Sequence, residues 1–344
     1  MHDVIARIEP VDFRMGQRAQ AYLDTLTKPP GSLGRLEALA VSLCQIGDTL
    51  APRVDPPGVI VFAADHGVAE EGVSAFPQEV TAQMVANFAR GGAAINAFAR
   101  QVGARMEVVD VGVAGVVRVP GVIDAKVRAG TRNFLHEDAM TEAEALQAMR
   151  AGALAVERAR AAGCHSVILG EMGIANTTAS SAVLAALLNH PVAALVGAGT
   201  GIARERLAHK IAVIERALAA RGCGREPARV LAALGGLELA AMVGGFLAAA
   251  AHRLPAVVDG FIASVAALVA VRLCPAARAY LVFGHRSAEP GHAHALEALE
   301  AIPLLALDMR LGEGSGAALA FPLLRAACAM LRDMATFDAA GVAR

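Results

Sequence analysis

Short apolar runs recur along the chain, each closed by small or polar residues. They begin at Val59 (Val-Ile-Val-Phe-Ala-Ala-Asp-His-Gly), Met106, Ser166 (Ser-Val-Ile-Leu-Gly-Glu-Met-Gly), Ala193 (Ala-Ala-Leu-Val-Gly-Ala-Gly), Ala256, Ala279 and Leu304. Runs of this length bounded by glycine read as buried strands. Helical stretches lie between them. Residues 141–162 open on Thr141 with Glu144 three positions on, the spacing of a capping box. Residues 204–221 and 291–299 also read as helix, as do 317–334, with Pro322 interrupting that helix early. Strand–helix alternation predicts an α/β fold: a mainly parallel sheet with helices on both faces. Ligands in such sheets sit outside the carboxyl ends of the strands. This chain concentrates its Asp, Glu, His, Asn and Gly there. The first ~50 residues lack the strand pattern. They look helical over 35–50 and hold the turn Lys28-Pro-Pro-Gly-Ser-Leu-Gly, so they and the last helix form a candidate smaller helical part.

Composition narrows the function classes. The 344 residues are 56% hydrophobic and 18% charged, which excludes a disordered chain. The formal net charge is -1, so no global basic field draws nucleic acid. The most apolar segments, 239–251 and 261–271, fall short of the roughly 20 residues a membrane span needs. The N-terminus carries acids and no apolar core, so no signal peptide is expected. Five well-separated cysteines without a CxxC pair point to reduced thiols and a cytoplasmic protein rather than to a disulfide framework or a zinc site.

Three segments carry candidate chemistry. Arg310-Leu-Gly-Glu-Gly-Ser-Gly follows a strand and opens a helix, where free backbone N–H groups suit an anion. Glu313 stands between two glycines, either as a helix-start acid or as a catalytic carboxylate beside a phosphate or sugar. Gly170-Glu-Met-Gly-Ile-Ala-Asn-Thr-Thr has the same strand-to-helix setting, and its polar groups either cap the helix or bind phosphate and ribose. Gly197-Ala-Gly-Thr-Gly has glycines for close phosphate approach but not the dinucleotide spacing. Lys210, on the next helix, is a candidate for the same anion. Asp65 and Asp259 end strands, where capping is the more frequent role. His292 and His294, two apart on one helix, face different ways and make poor co-ligands, so no metal is expected.

These segments, with Thr27-Lys-Pro-Pro-Gly-Ser-Leu-Gly-Arg-Leu-Glu, Ala64-Asp-His-Gly-Val, Val257-Val-Asp-Gly-Phe and Met309-Arg-Leu-Gly-Glu-Gly-Ser-Gly-Ala, stand in one order along the chain. In that order the chain resembles the nicotinate-nucleotide–dimethylbenzimidazole phosphoribosyltransferase family over nearly its whole length. The resemblance implies a Rossmann-like large domain, residues 51–316, and a small helical domain from residues 1–50 with 317–344. It also implies a homodimer that uses no cofactor. The implied partners are nicotinate mononucleotide and 5,6-dimethylbenzimidazole or a related base, with 5-phosphoribose transferred and C1′ inverted.

By motif, the family's catalytic carboxylate corresponds to Glu313, acting as general base on the benzimidazole N–H. Glu171 is the candidate carboxylate near the cationic C1′. Gly173, Asn176, Thr177, Gly199, Asp259, Gly314, Ser315 and Gly316 are candidate contacts, with Lys210 and Arg310 supplying positive charge to the phosphate. The segment 72–84 is the expected base pocket. Where some members carry a serine and a glutamine, this chain has Phe76 and Met84, which leaves benzimidazole, adenine or a phenolic acceptor open as the base. Two other classes stay in view: a dinucleotide oxidoreductase, which needs the full glycine fingerprint, and a non-catalytic nucleotide sensor, which has no need of Glu313.

Overall fold

The computed structural model describes residues 1–199 and 201–343. Its main sheet has six parallel strands: β1 (Pro57–Ala64), β2 (Arg105–Gly112), β3 (Val122–Asp124), β4 (Ser166–Met172), β5 (Ala256–Val258) and β6 (Leu281–Phe283). Their spatial order is β3-β2-β1-β4-β5-β6, the doubly wound Rossmann order. Two further strands, β7 (His285–Arg286) and β8 (Leu305–Ala306), pair with each other.

Side chains of the strands alternate between two cores, as the period of two demands. Ile60, Phe62, Val167, Leu169, Val258 and Phe283 point into one core, with the helices Glu142–Ala161, Leu237–Ala251 and Phe261–Leu273. Val59, Val61, Ile168, Val257 and Val282 point into the other, with the helices Phe13–Leu23, Arg35–Gly47, Val80–Arg90, Ala94–Gln101 and Ser315–Asp333. The strands are apolar on both faces because both faces are covered. The terminal helices pack on one another and share their core with β1, through Met15, Leu43 and Phe321.

Most expected elements form. Thr141 caps its helix, and its hydroxyl and the Glu144 carboxylate exchange hydrogen bonds with the two backbone amides. Three expectations are corrected. The run from Ala193 is not a strand: it is the short helix Val192–Leu195, which starts after Pro191 and runs into an irregular loop. Its Ala-Ala-Leu core favours helix and lacks β-branched density. Thr200, in the same glycine-rich segment, lies outside the described residues, as does Arg344. The strand β3 went unexpected because three residues give too short an alternation to read. Pro322 does not interrupt its helix, which runs from Ser315 to Asp333. The neighbouring Phe321, Leu324, Ala327 and Leu331 are all buried, and that burial offsets the hydrogen bond a proline removes.

Among the described residues, no helix is long and apolar enough to cross a membrane.

Candidate active site

The strand order reverses between β1 and β4, and a crevice opens at the carboxyl ends of strands beside that point. A cavity of about 320 Å³ occupies it. The loop after β4, the end of β5, the segment 73–84, the residues Ala198, Gly199 and Ile202, and the loop 310–313 form its wall. Glu171, Gly173, Asn176, Thr177, Gly199, Lys210, Asp259, Arg310, Glu313, Phe76 and Met84 all line it. Gly314, Ser315 and Gly316 do not. They stand behind the wall, where the Ser315 hydroxyl donates to the Gly312 carbonyl at 2.7 Å. Gly316 leaves room for the His285 ring, which a β-carbon would overlap.

Backbone geometry aims Glu313. Gly312, Glu313 and Gly314 are three consecutive residues in the left-handed region, at φ of 90°, 66° and 87°. For a glutamate this conformation is strained, and such strain gathers at functional sites. Its surroundings hold it there. A β-carbon on Gly312 would strike the Glu171 carboxyl, and one on Gly170 would strike the Glu313 carbonyl. The loop therefore lies backbone to backbone on the end of β4. The Glu313 carboxylate is buried and accepts from the Ile95 N–H at 3.2 Å, in the first turn of the helix Ala94–Gln101. Burial pushes the Glu313 acid up, and the Ile95 amide works against that.

Glu171 ends β4. Its acid is pushed up to about 8, first by burial and then by the carboxylates of Glu238 and Asp259, while the Asn176 amide and the Glu313 N–H pull it back. It is mostly protonated at neutral pH. The next loop turns through Ala175, in the left-handed region at φ 76°, into the helix Asn176–Leu188.

Asp259 touches the cavity, yet both its oxygens are committed. One accepts from Gly314 N–H at 3.2 Å and the other from Ala317 N–H at 2.9 Å. It caps the helix behind Glu313, and His285 lies 3.4 Å away. Asp65 likewise accepts from the Ala114 N–H, at 2.8 Å.

Two kinds of side chain line the cavity. Lys210 is buried, and its ammonium donates to the Thr177 hydroxyl at 2.9 Å and the Gly197 carbonyl at 3.4 Å. Burial lowers its pKa to about 8, with Glu289 opposing. The Arg310 guanidinium donates to the Gly199 carbonyl at 2.9 Å. Val73, Ala75, Phe76, Val80 and Met84 supply apolar lining. Phe76 is 48% exposed, so it sits at the rim.

Three polar wall residues were given no catalytic or substrate role from the sequence: His285, Ser287 and Glu289. Their signal was present, since Ser287-Ala-Glu-Pro is a polar start to a helix with proline at its first position. His292 and His294 do diverge. The first is buried between Ser264 and Ser287, and the second stacks on His190 with ring centroids 4.4 Å apart.

Residues 8–342 match a family described as phosphoribosyltransferase. The nicotinate-nucleotide–dimethylbenzimidazole phosphoribosyltransferase of Azotobacter vinelandii is 56% identical, over 92% of this chain and 91% of its own. That of Ralstonia nicotianae is 52% identical, over 99% of this chain and 97% of its own. A crystal structure of the Thermus thermophilus protein of the same name matches at a TM-score of 0.92 and 48% identity, covering 97% of this chain and 99% of that one.

Proposed function

Because the chain belongs to the nicotinate-nucleotide–dimethylbenzimidazole phosphoribosyltransferase family, and so is a phosphoribosyltransferase, we propose that it moves 5-phosphoribose from nicotinate mononucleotide to 5,6-dimethylbenzimidazole. The products are α-ribazole 5′-phosphate and nicotinate. The observation that carries this is the setting of Glu313: a buried carboxylate, fixed by three left-handed residues, on the wall of a cavity lined by both cationic and apolar side chains.

The base lies against Val73, Phe76, Val80 and Met84, and the nucleotide phosphate meets Lys210, Arg310 and the loop at Gly199. Thr177, Asn176 and Gly173 face the ribose and phosphate. One ring nitrogen of the base attacks C1′ while Glu313 takes the proton from the other, a general-base step typically worth 10²–10⁴-fold. The C1′–N bond of nicotinate breaks and its electron pair neutralises the pyridinium, so the leaving group needs no acid. Attack opposite the departing ring inverts C1′. Holding both reactants in line supplies much of the remaining acceleration. Glu171 begins protonated, and the cationic pyridinium favours its ionisation beside C1′. Asp259 holds Gly314 and thereby the Glu313 loop. Residues 1–50 with 317–344 act as a small helical domain that carries the helix behind that loop. The enzyme works as a cytoplasmic homodimer without a cofactor.

The test is purified protein with both substrates, followed by chromatography for nicotinate and α-ribazole phosphate. Both products are expected from the wild type. Glu313→Gln is expected to lose about 10²–10⁴-fold in kcat while still binding nucleotide. Wild-type turnover in that variant sinks the general base, and no product from folded wild type sinks the substrate pair.

A further inference from the structure

Glu289 is the acid that the proposed reaction leaves unused. It is 6% exposed, it lines the cavity with Lys210 and Arg310, and its Oε2 has no hydrogen-bond partner among the described residues. It caps the helix Pro290–Ala298 by position, yet no side-chain cap bond forms. Its carboxyl instead turns to the loop opposite, where the Gly199 N–H faces it and the Gly197 α-carbon leaves it room. The charged groups around it come from two other elements: Lys210 from the helix Arg204–Arg221 and Arg310 from the loop before Glu313. From its own segment, Ser287 accepts its N–H at 3.3 Å, and His292 donates its backbone N–H to the Glu289 carbonyl at 3.0 Å. The His292 ring, turned to Ser264 and Ser287, is held neutral by burial, with a pKa of about 4.

Glu289 therefore stands among the cations and the amide that an incoming phosphate needs. Two anions in one buried pocket repel strongly, and one of them must be neutralised. We propose that Glu289 takes up a proton from solvent as the phosphate of the nucleotide enters, and then donates from its otherwise unpartnered oxygen to that phosphate. The carboxylate faces Lys210 and the Gly199 loop while the site is empty and becomes part of the phosphate cradle once it is filled. Burial already pushes this acid upward, with Lys210, the Gly199 amide and Arg310 opposing. This inference rests on the phosphate lying beside Lys210, as the proposed reaction has it.

Calorimetric titration of the whole protein at pH 7 tests it, with ribose 5-phosphate as the probe. That probe carries the phosphate but not the pyridinium charge that acts on Glu171. The enthalpy is measured in buffers of different ionisation heat, and its slope counts the protons bound. Lys210, at about 8, is short of only about a tenth of a proton at this pH. The phosphate, with a second pKa near 6, gives up about as much on binding as dianion. The net count thus belongs to Glu289 and is expected to approach one. In Glu289→Gln, whose amide donates without a proton, the count is expected to fall to near zero. The wild-type Kd for ribose 5-phosphate is expected to rise by up to tenfold per pH unit between about pH 7 and the Lys210 limb, and the variant's to stay flat there. A clear isotherm with no proton uptake in the wild type overturns the proposal, as does an unchanged count in the variant. No binding of ribose 5-phosphate by a protein that turns over both substrates overturns it too and leaves the reaction standing. Absence of both binding and turnover fails the reaction itself.

Discussion

In the proposed reaction Glu313 and Lys210 set opposite limits on the pH range. A general base works only when deprotonated, and burial raises the Glu313 acid above the ordinary carboxylate range. Activity is therefore expected to fall as pH drops through that raised value. Lys210 holds phosphate only as the ammonium, and its pKa is lowered to about 8. The nucleotide KM is expected to climb as pH rises through about 8. Initial rates across pH at fixed ionic strength check both limbs. An alkaline limb that survives in Lys210→Met would assign it to another group. Glu171 bears on stability instead. Its folded pKa, about 8, exceeds its ordinary value, so its contribution is fully present below about pH 4.5 and is lost as pH rises through 8. Glu171→Gln is expected to narrow the gap in melting temperature between pH 5 and pH 9. An unchanged gap would show that the acid is not held neutral. At this scale the sequence was most legible at Glu313, where a charged residue between two glycines has no packing reason to be there. It was least legible at Glu289, because one acid before a helix proline looks like any other cap.

The helices Glu142–Ala161 and Leu237–Ala251 make the closest contact between elements. A β-carbon on Gly152 would run into the Ala241 carbonyl, and one on Gly244 into the Met149 carbonyl. Small residues let the two backbones touch, and both helices cover β1 and β2. Gly152→Val is expected to cost at least about 1–3 kcal/mol, as overpacking does. Urea unfolding measures it, and a midpoint equal to wild type would mean that the helices slide apart freely. Periodicity foretold the helix 142–161 and its cap because both signals are local. It misplaced the run from Ala193 because short apolar segments fit helix and strand alike. The choice there came from the neighbours: the run lies between two helices and meets no free strand edge.

In the proposed reaction the reactants lie where the strand order reverses, and the proposed homodimer is tested at this scale. Sedimentation is expected to give twice the chain mass of 35.2 kDa. A single-chain mass in a fully active sample would remove the dimer from the function. Sequence by itself determined most strands and helices, the parallel class and the segments that carry chemistry. Each of these follows from local spacing, from glycine where backbones turn, and from apolar residues where both faces are covered. Tertiary structure alone decided which polar groups share a cavity. It turned the oxygens of Asp259 to a helix start, set Gly314, Ser315 and Gly316 behind the wall, and brought Glu289 to Lys210. Those outcomes depend on distances between residues far apart in the chain and on how much water their meeting excludes. No local pattern encodes either quantity.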